Sequence, residues 1–512
     1  MSRSQALLAW LDRASDWLSP IVIKEVRQIV RGRDFMSSFG ACLVAGLLVA
    51  FFGAGDALSG EGTSGRWTFV SLMTCLTILG LAVVPLGAFS ALRVERMEQT
   101  LELITLTALS PRRVVIGKLL AQAVKLATLF AAVGPFIAMS FLLGGVDFVT
   151  ILIALLMLFV WSLWASAAGL FLSTLLKSRA MSGLVFVGVG IMALMMFGMS
   201  RPLFFLLSRG AFATGVAFGV GVSPAAGQFW WTLAITTSAC LMTMTNLVLL
   251  AENRLSLPTE NRVTALRIGF FAQMLLIAGW FLTFINEPPG REATAIALFG
   301  LFGGAHLALV ATFTVTEDLI VPRRALLQMQ RPSRWRWLLA MFGPGGGRGA
   351  AYVLAQMAVF LGAAFLFDPP AMRLRWLVAI CAYVCLFTGV PTLLFRLASP
   401  ARPASLPLRA GLLLVLSLSL LLPDIVYYLL WQPDVLAYNY SARHVINPFR
   451  TLANWDTVEA NGWLWMPTLL GLNGLGSYWL LIQMGRRMTA QPVTDPRAVA
   501  AAGEPGSAPA VH

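Results

Sequence analysis

Few residues in this 512-residue chain could do chemistry, and they stand apart from one another. A phosphate-binding P-loop needs G-x-x-x-x-G-K-[ST], with its lysine on the phosphates. The lysines are Lys24, Lys118, Lys125 and Lys177; only Lys118 follows a glycine, Gly117, and Leu119 comes next. The run GPGGGRG at Gly343–Gly349 has no lysine and reads as a flexible turn into an apolar segment. His306, His444 and His512 are far apart and none sits in an H-E-x-x-H setting. Cys381 and Cys385 share a helix face at i, i+4, but two thiols without a third ligand make a poor metal site. With Cys42, Cys75 and Cys240 they read as small residues compatible with an apolar setting. No catalytic residue, resident cofactor or metal site is therefore expected.

Two ionisable residues fall inside apolar segments, where such groups are functional candidates by default. Lys125 lies about two turns into its segment, within snorkelling reach of an interface. Asp424 follows Pro423 in LLPDIVYYLLW, where a proline break could free carbonyls beside a carboxylate and form part of a gate. The alternative is a kinked helix whose aspartate is satisfied near the outer interface. Together they form a candidate intramembrane polar site.

The elements that must position these groups follow from composition. Apolar residues make up 58% of the chain and charged residues 12%, against roughly 25% charged in a soluble protein. The apolar residues come in blocks suited to a bilayer, whose core takes about 20 residues per helix. Twelve spans are expected: Met36–Ala54, Trp67–Leu92, Leu119–Gly144, Phe148–Leu176, Ala180–Ser200, Trp230–Ala251, Ile268–Ile285, Thr294–Thr316, Ala350–Phe367, Leu374–Phe395, Ala410–Trp431 and Trp463–Met484. Backbone amides find no water in hydrocarbon, so each should be a helix. The fold class is an all-α polytopic membrane protein.

The net charge of +14 is explained by topology rather than by nucleic acid. Alternate loops carry 28 Lys or Arg residues on the N-terminal side and 8 on the other. That bias places both termini in the cytoplasm of a cell (inner) membrane protein. The opening MSRSQALLAWLDRASDWLSP is broken by Asp12, Arg13 and Asp16, too polar for a cleavable signal core, so the first span should act as an uncleaved anchor.

Two segments at the cytoplasmic face carry more pattern than a loop requires. In PIVIKEVRQIVRGRDF (Pro20–Phe35), Val22, Val26, Ile29 and Val30 form one helical stripe, with Lys24, Arg27, Gln28 and Arg31 away from it. That predicts an amphipathic helix lying in the interface. Between the second and third spans runs ERMEQTLELITLTALSPRRVVIGKLL (Glu95–Leu120). Glu95, Glu98 and Glu102 recur at i, i+3 and i+7, an acidic stripe beside Met97, Leu101 and Ile104 if Arg93–Leu106 is helical. Ser110-Pro111 then supplies an N-cap and a proline at the first helical position. Arg112 and Arg113 occupy a first turn whose dipole disfavours cations, so anionic lipid must account for them.

These two segments resemble the membrane subunits of type-two ATP-binding-cassette exporters over roughly Trp17 to Ala251. In that family a basic connecting (elbow) helix precedes the first span, and the T-L-E…L-S-P-R stretch carries a coupling helix that docks on the ATPase. The resemblance implies an elbow helix with Lys24, Glu25, Arg27 and Arg31. It implies a coupling segment at 93–118, with Glu95, Glu98, Thr100, Leu101, Glu102 and Leu103 docking and Ser110, Pro111, Arg112, Gly117 and Lys118 forming the turn and base of the third span. ATP and magnesium would be bound by the partner ATPase, and membrane lipids and a second permease chain would complete the assembly.

The second half echoes the first. Both halves place a basic segment between their second and third spans, here EDLIVPRRALLQMQRPSRWRWLLAMFGPGGGRG, and a long outer segment before the last span. This suggests a parallel duplication, although the second copy keeps no T-L-E or L-S-P-R element. The expected organisation is a cytoplasmic N-terminus over 1–35, a six-span permease domain over 36–251, a second six-span domain over 252–484 and a disordered tail over 485–512. The expected function is an exporter's permease subunit, without an ATPase of its own. A twelve-span secondary transporter is the rival, and would need intramembrane coupling charges. A permease-like scaffold passing ATPase force outward without moving a substrate is the third option, favoured by outer segments such as 432–462.

Overall fold

The computed structural model describes residues 20–58, 64–97, 111–144, 146–175, 227–256, 263–285, 289–319, 341–398 and 442–490, with short pieces between 408 and 419 and isolated positions such as Asn261 and Val321. Among these residues all regular structure is helical, and nine helices are long and apolar enough to cross a membrane. The chain is an integral membrane protein. Nine of the twelve expected spans coincide with these helices. The expected fifth span and most of the eleventh lie outside the described residues, and the twelfth forms a helix less apolar than the rest. Contacts divide the chain into two compact units, Met1–Leu257 and Pro258–His512.

In the first unit, α1 (Pro20–Arg31) opens on proline and stops at Gly32, whose N–H bonds Ile29 O at 3.0 Å. The chain turns straight into α2 (Arg33–Leu58). Val22 is buried and Val26 and Ile29 are half-covered, as the stripe predicted, but Val30 is 41% exposed. Glu25 takes its place on the covered face. A helix of 3.6 residues per turn lets a position three beyond Val22 share its face, and apolarity alone had excluded a carboxylate from it.

The second span is one continuous helix in three parts: α3 (Ser64–Ile78), a π-helical turn (Leu79–Val83) and α4 (Val84–Met97). The π turn lies just ahead of Pro85, whose ring has no N–H to give and would crowd the carbonyl of Leu81 in an unbroken α-helix. α5 (Pro111–Leu142) and α6 (Phe148–Leu175) complete the packing, the latter capped by Asp147 through Thr150 N at 2.9 Å. Phe69, Leu72, Met73 and Leu76 of α3 fill the core against Leu158 and Ala165 of α6. Small residues at Ser162, Ala165 and Gly169 let the backbones approach, as expected where helices associate in lipid. A Cβ on Gly169 would lie 2.7 Å from Pro85 O. α7 (Gly227–Leu255) lies along α6 and α5.

The second unit contains α8 (Thr264–Leu282), α9 (Pro289–Val315), α10 (Gly346–Phe367) and α11 (Ala371–Ala398). Stacked rings join the first three, with Phe281 to Phe299 at 4.0 Å, Phe299 to Phe360 at 4.5 Å and Phe281 to Phe367 at 4.2 Å. A 3₁₀ turn (Ala442–Ile446), α12 (Pro448–Ala453) and α13 (Trp455–Ala460) fold over one end of α11. Trp455 Nε1 donates to Met372 O at 3.2 Å, and Trp376 Nε1 to Leu452 O at 3.0 Å. The described part of the expected outer segment is therefore packed on its own unit. α14 (Trp465–Ala490) packs along α11, where Gly389 admits the Tyr478 ring and Tyr478 meets Thr388 Oγ1 at 2.7 Å.

Candidate functional site

The predicted coupling residues Glu98, Thr100, Leu101, Glu102, Leu103 and Ser110 lie outside the described residues. Glu95 belongs to the last turn of α4. What the structure describes is the platform on either side, where α4 leaves at Met97 and α5 begins at Pro111. Arg112 and Arg113 are exposed on the first turn of α5, whereas Gly117 and Lys118 are buried. Leu92 of α4 packs with Leu170 of α6, flanked by Leu119 of α5 and Leu255 of α7, so four helices meet in one apolar cluster. Arg112 acts electrostatically on Glu252 near the end of α7.

The predicted elbow residues separate into two groups. Lys24, Arg27 and Arg31 are exposed. Glu25 instead points into the unit and accepts a 2.9 Å hydrogen bond from Lys118 Nζ, with side-chain exposures of 9% and 3%. The pair joins α1 to α5 across 93 positions of sequence. Hydrogen-bonded opposite charges can coexist in a dry setting, whereas removing one strands the other. Nothing in the local pattern of either segment announced this pair. The available signal was an acid in an otherwise basic helix and a lysine at a helical base.

Lys125 is covered by its own unit. It is 6% exposed and lies over Gly87, with its Nζ 3.5 Å from where a Cβ on that glycine would stand. Its neighbour Gln122 is equally buried, and Gln122 Oε1 has no hydrogen bond among the described residues. Asp424 lies outside the described residues.

The second unit holds a polar cluster that sequence reasoning missed. Arg267, in the first turn of α8, is fully buried. Its Nη2 donates to Glu317 Oε2 at 2.7 Å and Gly345 O at 3.3 Å, while its Nη1 donates to Met341 O at 3.0 Å and to Gly343 O. Gly345 N returns a 3.0 Å bond to Glu317 Oε2. Burial pushes the Glu317 carboxyl above its usual range, and the Arg267 guanidinium and the Gly345 N–H pull it back. At the end of α9, Arg396 Nη2 donates to Glu317 O at 2.9 Å and Arg409 Nη2 to Phe313 O at 3.0 Å. The last carbonyls of a helix have no intrahelical donor, and cationic forks both satisfy them and suit the dipole.

The glycine run is therefore not a flexible turn. Gly345 has φ +116°, a Cβ on Gly346 would lie 2.5 Å from Glu317 O, and one on Gly349 would collide with Thr314 O. Glycine is required because backbones pass too closely for side chains. Its signal in sequence was adjacency to the charged pair Glu317-Asp318 across the basic stretch.

From Tyr352, whose hydroxyl donates to Arg267 O, the network continues to Gln356 and to His306, where Nε2 and Gln356 Oε1 are 3.0 Å apart. His306 is thus a packed, hydrogen-bonded residue, as is His444 at 1% exposure. All five cysteines are free, and no group of three metal-ligating side chains occurs among the described residues. No protein-family model, curated protein or solved structure matches the chain.

Proposed function

We propose that the chain is the membrane-spanning permease subunit of an ATP-binding-cassette exporter, driven by a separate ATPase that docks on residues 95–103. The observation that carries this reading is the buried Glu25–Lys118 pair, which ties the basic amphipathic helix to the helix emerging directly from the docking segment. Force delivered to residues 98–110 would act on α4 and α5 together. The ion pair would carry α1 along, and the close Pro85–Gly169 contact would pass the movement to α6. A rigid, bonded platform beneath a charged surface segment suits a push from a partner better than it suits ion-coupled transport.

The test is Glu98→Arg combined with Glu102→Arg in the full chain co-expressed with its ATPase. Reversal of interface charge can cost several kcal/mol of binding, whereas a solvated surface change leaves folding within about 0.5 kcal/mol. The inserted, folded variant should lose co-purifying ATPase. Unchanged co-purification and ATP turnover would overturn the assignment of this segment.

A further inference from the structure

A cavity of about 230 Å³ opens in the second unit beside the glycine run. Its walls are of two kinds. Leu319, Val321, Met341 and Ile482 make one side apolar, and Arg348 of α10 and Arg486 of α14 line the other. Its floor is backbone at Gly347 and Gly485, where a Cβ on Gly347 would lie 2.9 Å from Gly485 Cα, so no side chain can fill it from below. It sits where α8 and α10 begin and α9 ends, at a membrane edge. Glu317 and Asp318, which precede the lining residue Leu319, are paired with Arg267 and Arg396.

We propose that this cavity binds the phosphate group of an anionic phospholipid. Basic pockets between membrane helices near a surface suit lipid headgroups, and arginine's planar fork matches phosphate oxygens. The volume falls below the roughly 300–1,000 Å³ of sites that enclose whole small molecules. A headgroup phosphate fits, and the acyl chains must leave along the apolar wall into the bilayer.

The experiment is native mass spectrometry of the full chain released from detergent, with phosphatidylglycerol, phosphatidylcholine and inorganic phosphate as probes. Phosphatidylglycerol should remain bound at one site in preference to phosphatidylcholine, and Arg348→Gln with Arg486→Gln should hold it at least tenfold more weakly. Arg486 is exposed, so Arg486→Gln alone gives a folded variant with a partial loss. Ala351→Leu keeps both charges and narrows the cavity, and should also weaken binding. Equal retention of phosphatidylglycerol by wild type and the double variant would overturn the proposal. So would undiminished binding to Ala351→Leu, which would move the lipid to the outer surface. Binding of inorganic phosphate with no preference between the two lipids would assign the site to a free anion and overturn the lipid.

Discussion

Lys118→Met is the sharpest perturbation of the platform. It replaces a side chain that is 3% exposed by an apolar one of similar length and leaves Glu25 without its 2.9 Å donor. Breaking one side of a buried pair costs about 3–5 kcal/mol, because the surviving charge is left in a dry site. Glu25→Gln combined with Lys118→Met removes both charges, and such replacements are often close to neutral. The single change should therefore cost about 3 kcal/mol or more beyond the double one, and Glu25→Gln alone completes the double-mutant cycle that reads the coupling. The cost falls first on α1, which is held by Val22, three half-covered side chains (Ile23, Val26 and Ile29) and this pair. A loss of 3 kcal/mol raises the opening equilibrium more than about a hundredfold, read as faster amide hydrogen exchange across residues 22–31 in lipid nanodiscs. Exchange in α1 that is unchanged by Lys118→Met would refute the reasoning, as would a double variant as damaged as the single.

Gly169→Ala forces a Cβ to 2.7 Å from Pro85 O, whereas Gly134→Ala meets nothing within 4 Å; thermal unfolding should show a loss of about 1–3 kcal/mol for the first and little change for the second. Arg267→Lys should destabilise the second unit nearly as much as Arg267→Gln, because one ammonium cannot reproduce a fork serving Glu317 and three carbonyls; thermal unfolding checks it, and full rescue by lysine would count against the cluster as drawn. Cysteine labelling at Ser4 and Ser507 should place both positions on the same side of the membrane; opposite sides would remove a span from the expected set. Mass measurement of the purified complex should give two permease chains with two ATPases, since the second half lacks the acidic docking stripe; one chain with two ATPases would make the chain a pseudo-dimer.

The span positions were legible because hydrocarbon imposes a local rule. Every backbone amide must be satisfied within its own segment, so length and apolarity suffice to locate a helix, as they did for the nine expected spans that coincide with described apolar helices. The start of α5 at Pro111 was legible for a similar reason, since a proline suits the first position of a helix. The amphipathic helix was found by its period, yet its face was misdrawn at one position. Val30 is exposed and Glu25 covered because the face is decided by what α5 presents to it, and α5 presents Lys118.

The arginines show the same boundary more clearly. Charge counting treated Arg267, Arg396 and Arg409 as loop charges that orient a chain. A topological rule cannot distinguish a solvated guanidinium from one bonded to the carbonyls at the end of α9. Likewise the glycines of GPGGGRG carry no periodicity, and only the approach of Glu317, Thr314 and Gly485 reveals why no side chain fits there. Sequence by itself determined what each segment must do alone, which is to span, to lie flat or to start a helix, because those depend on neighbours within a turn or two. Tertiary structure alone decided which distant charges meet, because a buried ion pair depends on two surfaces closing and excluding water from both partners.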